Sequence, residues 1–152
     1  ADRVEATYLD EGRQSGLIAR LFGAGIDETV GRFILPSWAQ LEYRAAGRVR
    51  LLITLLFTPE RAGEQRLYAV VTGEVPPHWG KLAVPMVQAL FLQVLRQDKR
   101  ILELQRATIE RFGGERFATT DLDLLRPHIV RLLTHGPAAP GDDFHRDVTM
   151  ML

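Results

Sequence analysis

From Leu82 to Phe112 the apolar residues recur at Val84, Val87, Phe91, Val94, Leu95, Ile101 and Leu102. That is the i, i+3, i+4, i+7 spacing of one face of an α-helix. A helix of this length with one apolar stripe needs a surface to lie on, and the rest of the chain has to supply it. Asp98 falls on the same stripe, four residues after Val94 and three before Ile101. A carboxylate on a buried face costs several kcal/mol in desolvation unless it finds a partner. Three partners satisfy that demand: a cation such as Arg, a set of hydrogen-bond donors, or a metal ion.

The chain around this helix has 152 residues and 46% hydrophobic content, enough for one domain with a core. Nineteen basic and nineteen acidic residues balance to a formal net charge of zero and are mixed along the chain. No basic block points to nucleic acid or to anionic lipid. No apolar run approaches the roughly 20 residues that span a bilayer. Nothing resembles a secretory signal, and a cytoplasmic location is expected. The absence of cysteine excludes a disulfide, a thiolate zinc site and a Cys-ligated iron–sulfur cluster within these residues.

Ahead of the helix the pattern is that of strands. Val4 to Leu9 reads as a short strand, Glu11 to Thr29 as a loose or partly helical connection, and Phe33 to Arg44 as a second strand. Val49 to Thr58 is apolar on both faces and is expected at the centre of a sheet. Pro59 to Gln65 reads as a hairpin connection and Leu67 to Thr72 as the antiparallel return. Pro76-Pro77 breaks the sheet, the helix begins near Lys81, and Gly113-Gly114 ends it. A shorter helix is expected over Asp121 to Leu133. The fold class is therefore α+β: a curved antiparallel sheet gripping one long C-terminal helix. Residues 1–136 form one domain in this reading and 137–152 a tail. The start on Ala1 fits either methionine removal or a piece of a longer protein. Phe33, Leu35, Leu51, Ile53 and Leu55 would face Phe91, Val94 and Leu95 across a cavity.

The run Gln97-Asp98-Lys99-Arg100-Ile101-Leu102-Glu103-Leu104-Gln105 resembles the Q-D-K-x-I-L-E-x-Q pattern of Rieske non-haem iron oxygenases, on the long C-terminal helix of their large subunit. Thr58-Pro59 with Arg66-Leu67-Tyr68, and Phe33-Ile34-Leu35-Pro36, are similar to sheet segments of the same family. Arg131-Leu132-Leu133 fits its final helix. The resemblance covers most of residues 30 to 135. It implies a helix-grip, START-like catalytic domain in which Asp98 is the carboxylate ligand of a mononuclear Fe(II) held by two histidines and one carboxylate. Such a triad leaves coordination positions for dioxygen and substrate. Phe91, Val94 and Leu95 would line the substrate pocket, and Gln105, seven residues after Asp98, would support the ligand from the same side. Electrons would come from a reductase or ferredoxin, and the family's homotrimeric ring is the expected assembly. The reaction class is hydroxylation or oxidative demethylation of an apolar or aromatic substrate.

Two family features lie outside this sequence. The paired histidines of the D-x-x-H-x-x-x-x-H segment have no counterpart among His78, His128, His135 and His145. The [2Fe-2S] cluster would sit only in a separate Rieske domain, since its ligands include cysteines. The expectation is a C-terminal part of a longer oxygenase, inactive as this chain alone. The alternative is a standalone START-like domain that binds a hydrophobic small molecule without catalysis, with Asp98 paired to Arg44 or Arg50.

Overall fold

A computed structural model describes residues 2–9, 25–74, 80–115, 118, 120, 123–137 and 139. Strands β1 (Arg3–Leu9), β2 (Glu28–Ile34), β3 (Trp38–Ala45), β4 (Arg48–Arg61) and β5 (Glu64–Gly73) precede helices α1 (Gly80–Arg111) and α2 (Arg126–His135). The strands form one antiparallel sheet in the order β1-β2-β3-β4-β5. The α+β class is as expected. The chain divides into two compact units, Ala1–Glu74 with Thr119–Leu152, and Val75–Ala118, so the expected domain 1–136 spans both.

Three local expectations need correction. The predicted strand 33–44 is two strands, because a hairpin turn runs through Leu35, Pro36 and Ser37, with a cis Leu35-Pro36 bond. Pro36 has no amide hydrogen for a ladder and belongs in a turn. The predicted connection 59–65 is mostly strand: β4 continues to Arg61, with a register shift beside Pro59, and the turn is confined to Ala62 and Gly63. The Arg66–Glu60 and Arg61–Glu64 ion pairs flank that turn, at 2.6 and 3.0 Å. Finally, β3 is the middle strand and β4 is next to the edge strand β5.

Side chains directly opposite each other across a ladder share a sheet face. One face carries the row Val4, Phe33, Ala39, Leu55, Ala69, the row Ala6, Gly31, Leu41, Ile53, Val71, and the row Tyr8, Thr29, Tyr43, Leu51, Gly73. None of these is charged. Leu51 is fully buried there and Ile53 nearly so. Leu125, just before α2, reaches this face, lying 3.9 Å from where a Gly31 Cβ would be, beside Tyr8 and Leu41. Leu125, Ile129 and the buried Leu132 recur at helical spacing on α2. The helix starts after Asp123, whose carboxylate accepts from the Arg126 N–H at 3.3 Å, rather than at Asp121. Asp121 itself lies outside the described residues.

The other face carries the charges. Consecutive pairs Glu28↔Arg44, Val30↔Glu42 and Arg32↔Gln40 join β2 to β3. Arg32 bonds both Glu5 and Glu42, while Arg44 bonds Glu42 and, at 3.3 Å, Glu28. Glu42 is 8% exposed and Val30 beside it 1%. Burial alone would push the Glu42 carboxyl up, but the guanidiniums of Arg32 and Arg44 outweigh it and hold the group below the ordinary carboxylate range.

α1 runs for 32 residues, with Pro85 in its second turn. Its end is a Schellman motif: the Gly113 N–H donates to Glu110 O and the Gly114 N–H to Ile109 O, with Gly113 at φ 80.

Glu42→Gln is expected to cost about 2 kcal/mol at pH 7 in urea unfolding, less than a fully broken buried pair because each arginine keeps a second acid. A depressed carboxyl pKa contributes stability above the unfolded value, near pH 4.3, and loses it as pH falls through the folded value. The gap between wild type and variant should therefore close as pH falls below the ordinary carboxylate range. A second expectation concerns the β3–β4 turn, where Ala46 has φ 50 and Gly47 φ 71. Both angles are those of a type I′ turn, which Ala enters at a cost of about 1 kcal/mol and Asn more readily. Ala46→Asn should raise stability by about 0.5–1 kcal/mol. The Ala46 N–H would still donate to Asp27 Oδ2 at 2.9 Å.

Candidate functional site

The continuous α1 brings every residue expected at the iron and substrate site onto one side of one element. At 100° per residue, Phe91, Asp98 and Gln105 drift by only about 20° per seven residues, so they form a row. Val94 and Leu95 flank the row one turn before Asp98, and Ile101 and Leu102 one turn after it. The sequence periodicity and the helix therefore agree on which residues belong together.

Burial does not follow the expectation. Asp98 and Gln105 are exposed, Val94 is 36% exposed, and Phe91 and Leu95 are half-buried. Val84, Ile101 and Leu102 on the same stripe are also exposed. The desolvation that would oblige Asp98 to take a partner is absent at an exposed position. Arg44 is engaged by Glu42 and Glu28, and Arg50 by Glu74 at 2.5 Å. On the helix, Lys99 pairs with Glu103 at 3.7 Å and Arg106 with Glu110 at 2.9 Å, both at i,i+4. Glu103 thus serves a surface pair.

On the sheet, Phe33, Leu51, Ile53 and Leu55 do share the uncharged face, while Leu35 lies in the turn between β2 and β3. Of the histidines, His128 is in the first turn of α2 and His135 is its last residue. His135 Nδ1 lies 2.7 Å from Thr134 Oγ1. His78 and His145 lie outside the described residues, as does most of the tail from 137 to 152. Among the described residues no group of three or more His, Asp or Glu side chains could hold a metal ion. An iron triad needs two imidazoles beside its carboxylate, so these residues do not complete one.

The charged network on the opposite sheet face was not foreseen. Its signal was present as charges at alternate positions, Glu28 and Arg32 on one segment, Glu42 and Arg44 on another. It becomes legible only once the register between β2 and β3 is known. Its charges are mutually satisfied, and its role is to hold the sheet.

The chain matches no family model, no curated protein and no solved structure. No helix among the described residues is long and apolar enough to cross a membrane.

The exposure of Asp98 gives a direct check. In this chain Asp98→Ala should change unfolding free energy by less than about 0.5 kcal/mol, as at other surface positions. A loss of 3–5 kcal/mol would instead mark half of a buried ion pair.

Proposed function

We propose that this chain is the C-terminal catalytic portion of a Rieske-type non-haem iron oxygenase, with Asp98 as the one iron ligand it contributes. The observation that carries the reading is a conflict on α1. Exposed Val84, Ile101 and Leu102 favour a cover, since burying each such side chain yields about 1.5–3 kcal/mol. Any cover that removes water from the stripe also removes it from Asp98. A cover of apolar side chains offers no cation to compensate. A bound metal cation supplies the missing charge, and the resemblance around Asp98 names the same residue.

In this proposal the stripe of Phe91, Val94 and Leu95 belongs to a helix-grip, START-like catalytic domain that acts on an apolar or aromatic substrate. The two imidazoles come from outside the described residues. Bound iron would supply dioxygen activation for hydroxylation or oxidative demethylation. Asp98 holds a negative oxygen ligand on a rigid helix, and Gln105 lies two turns further on the same side, placed to support it. The [2Fe-2S] cluster, reductase or ferredoxin, and trimeric assembly belong to the complete enzyme. The competing reading is a ligand-binding START-like domain without catalysis.

The test uses the native protein that carries these residues, with its intact mass measured first. A mass well above 17.1 kDa, with mononuclear iron and substrate oxygenation that both fall at least tenfold in Asp98→Ala while the melting temperature stays put, is the expected result. Unchanged iron and turnover in Asp98→Ala would remove Asp98 from the site. An iron-free protein of about 17 kDa would leave ligand binding as the function.

A further inference from the structure

The outer side of β5 is an open sheet edge. Among the described residues β5 pairs with β4 on one side and with no strand on the other. One bond fixes which backbone groups face outward. The Glu74 N–H donates to Arg50 O at 3.1 Å, and Leu51 stands opposite Gly73, so even-numbered residues of β5 bond inward. Antiparallel alternation then points the N–H and C=O of Leu67, Ala69, Val71 and Gly73 away from β4. No charge or proline interrupts the run from Leu67 to Gly73. Leu67, Tyr68 and Val70 are 40%, 50% and 52% exposed. Edges that must stay single are blunted by charge, proline or a cover.

This edge is also complementary to itself. In an antiparallel pair about a two-fold axis at Val70, Arg66 stands opposite Glu74 of the second copy, and Glu74 opposite its Arg66. Tyr68 then meets Thr72, an aromatic–β-branched pair, and Ala69 meets Val71 in a hydrogen-bonded pair. The Arg66 and Glu74 side chains are 59% and 47% exposed. Arg66 already touches Glu60, and Glu74 touches Arg48 and Arg50, so acid and base would alternate across the junction. Neighbouring registers lose this match. An axis at Ala69 sets Glu64 opposite Glu74, and one at Val71 sets Tyr68 there.

We infer that β5 is a self-association edge that binds β5 of a second copy antiparallel about Val70, so that one sheet continues through both. The contact is isologous, and it adds to a threefold ring rather than replacing it. It does not rest on the oxygenase reading: loss or retention of iron in Asp98→Ala leaves it untouched.

The test is disulfide trapping in the native protein that carries these residues. The 152 residues hold no cysteine, and the unsubstituted protein gives the background. Val70→Cys places two thiols at the axis, in a non-hydrogen-bonded pair with Cα atoms about 4.5 Å apart, within disulfide reach. Tyr68→Cys is as exposed, but its counterpart lies four residues along the ladder, roughly 14 Å away and out of reach. Under mild oxidation Val70→Cys should give about tenfold more linked pair than Tyr68→Cys or the background. Adding Arg66→Glu or Glu74→Arg to Val70→Cys sets like charges opposite each other and should cut trapping about fivefold. Mixing those two variants should restore it as a mixed pair, because opposite charges meet again. A merely local role for either residue predicts no such restoration. Equal trapping by Tyr68→Cys and Val70→Cys overturns the inference, as does failure of the mixture to recover. Background-level trapping by Val70→Cys overturns it too, and is the result if another segment of the native protein occupies the edge.

Discussion

The register between β2 and β3 is the constraint on which the sheet depends. It places Val30 opposite Glu42, with Glu28↔Arg44 on one side and Arg32↔Gln40 on the other. With β3 held by β4, a slip of β2 by one residue would turn Glu28 and Arg32 onto the face that holds Leu51 and Ile53, away from Glu42 and Arg44. Burying two unpaired charges there costs several kcal/mol. The ion network thus acts on specificity: each arginine bridges two acids, and only one register allows it. That network also explains how Val30 is buried on a charged face, since it sits among the side chains that pair around it.

The sequence signals that were legible share one property: they are local. The apolar run in β4 and the periodicity of α1 are written in consecutive residues, and both elements occur close to where the pattern puts them. Gly113 and Gly114 likewise stop α1 through bonds to residues within one turn. The hairpin at Leu35–Ser37 was obscured because apolar residues continue on both sides of Pro36, and the strand pattern overrode the missing amide. The extension of β4 past Pro59 was hidden for the converse reason. A register shift beside Pro59 lets a proline sit at the end of a strand that composition alone would stop.

The candidate site divides along the same line. Helical periodicity correctly groups Phe91, Val94, Leu95, Asp98 and Gln105 on one side of α1, because that grouping depends only on the 3.6-residue turn. Burial is a relation between that stripe and other parts of a protein, and periodicity does not specify it. Asp98 was expected to be buried because its neighbours are apolar, and it is exposed along with several of them. Arg44 pairs with Glu42 and Glu28, and Arg50 with Glu74; the strand register that brings Glu28 beside Arg44 is not written in any one segment.

An acidic residue in the middle of an apolar stripe is informative even when it is exposed. On a solvated helix face Asp98 could be any polar residue at little cost, and helix propensity disfavours Asp relative to Glu, Gln or Lys by a few tenths of a kcal/mol. Its flanks, by contrast, are apolar for one turn in both directions, Val94 and Leu95 before it and Ile101 and Leu102 after it, which a purely solvated helix does not need. The stripe favours burial and the carboxylate opposes it, so any cover that takes water from the flanks must also give Asp98 a partner of opposite charge or a set of hydrogen-bond donors.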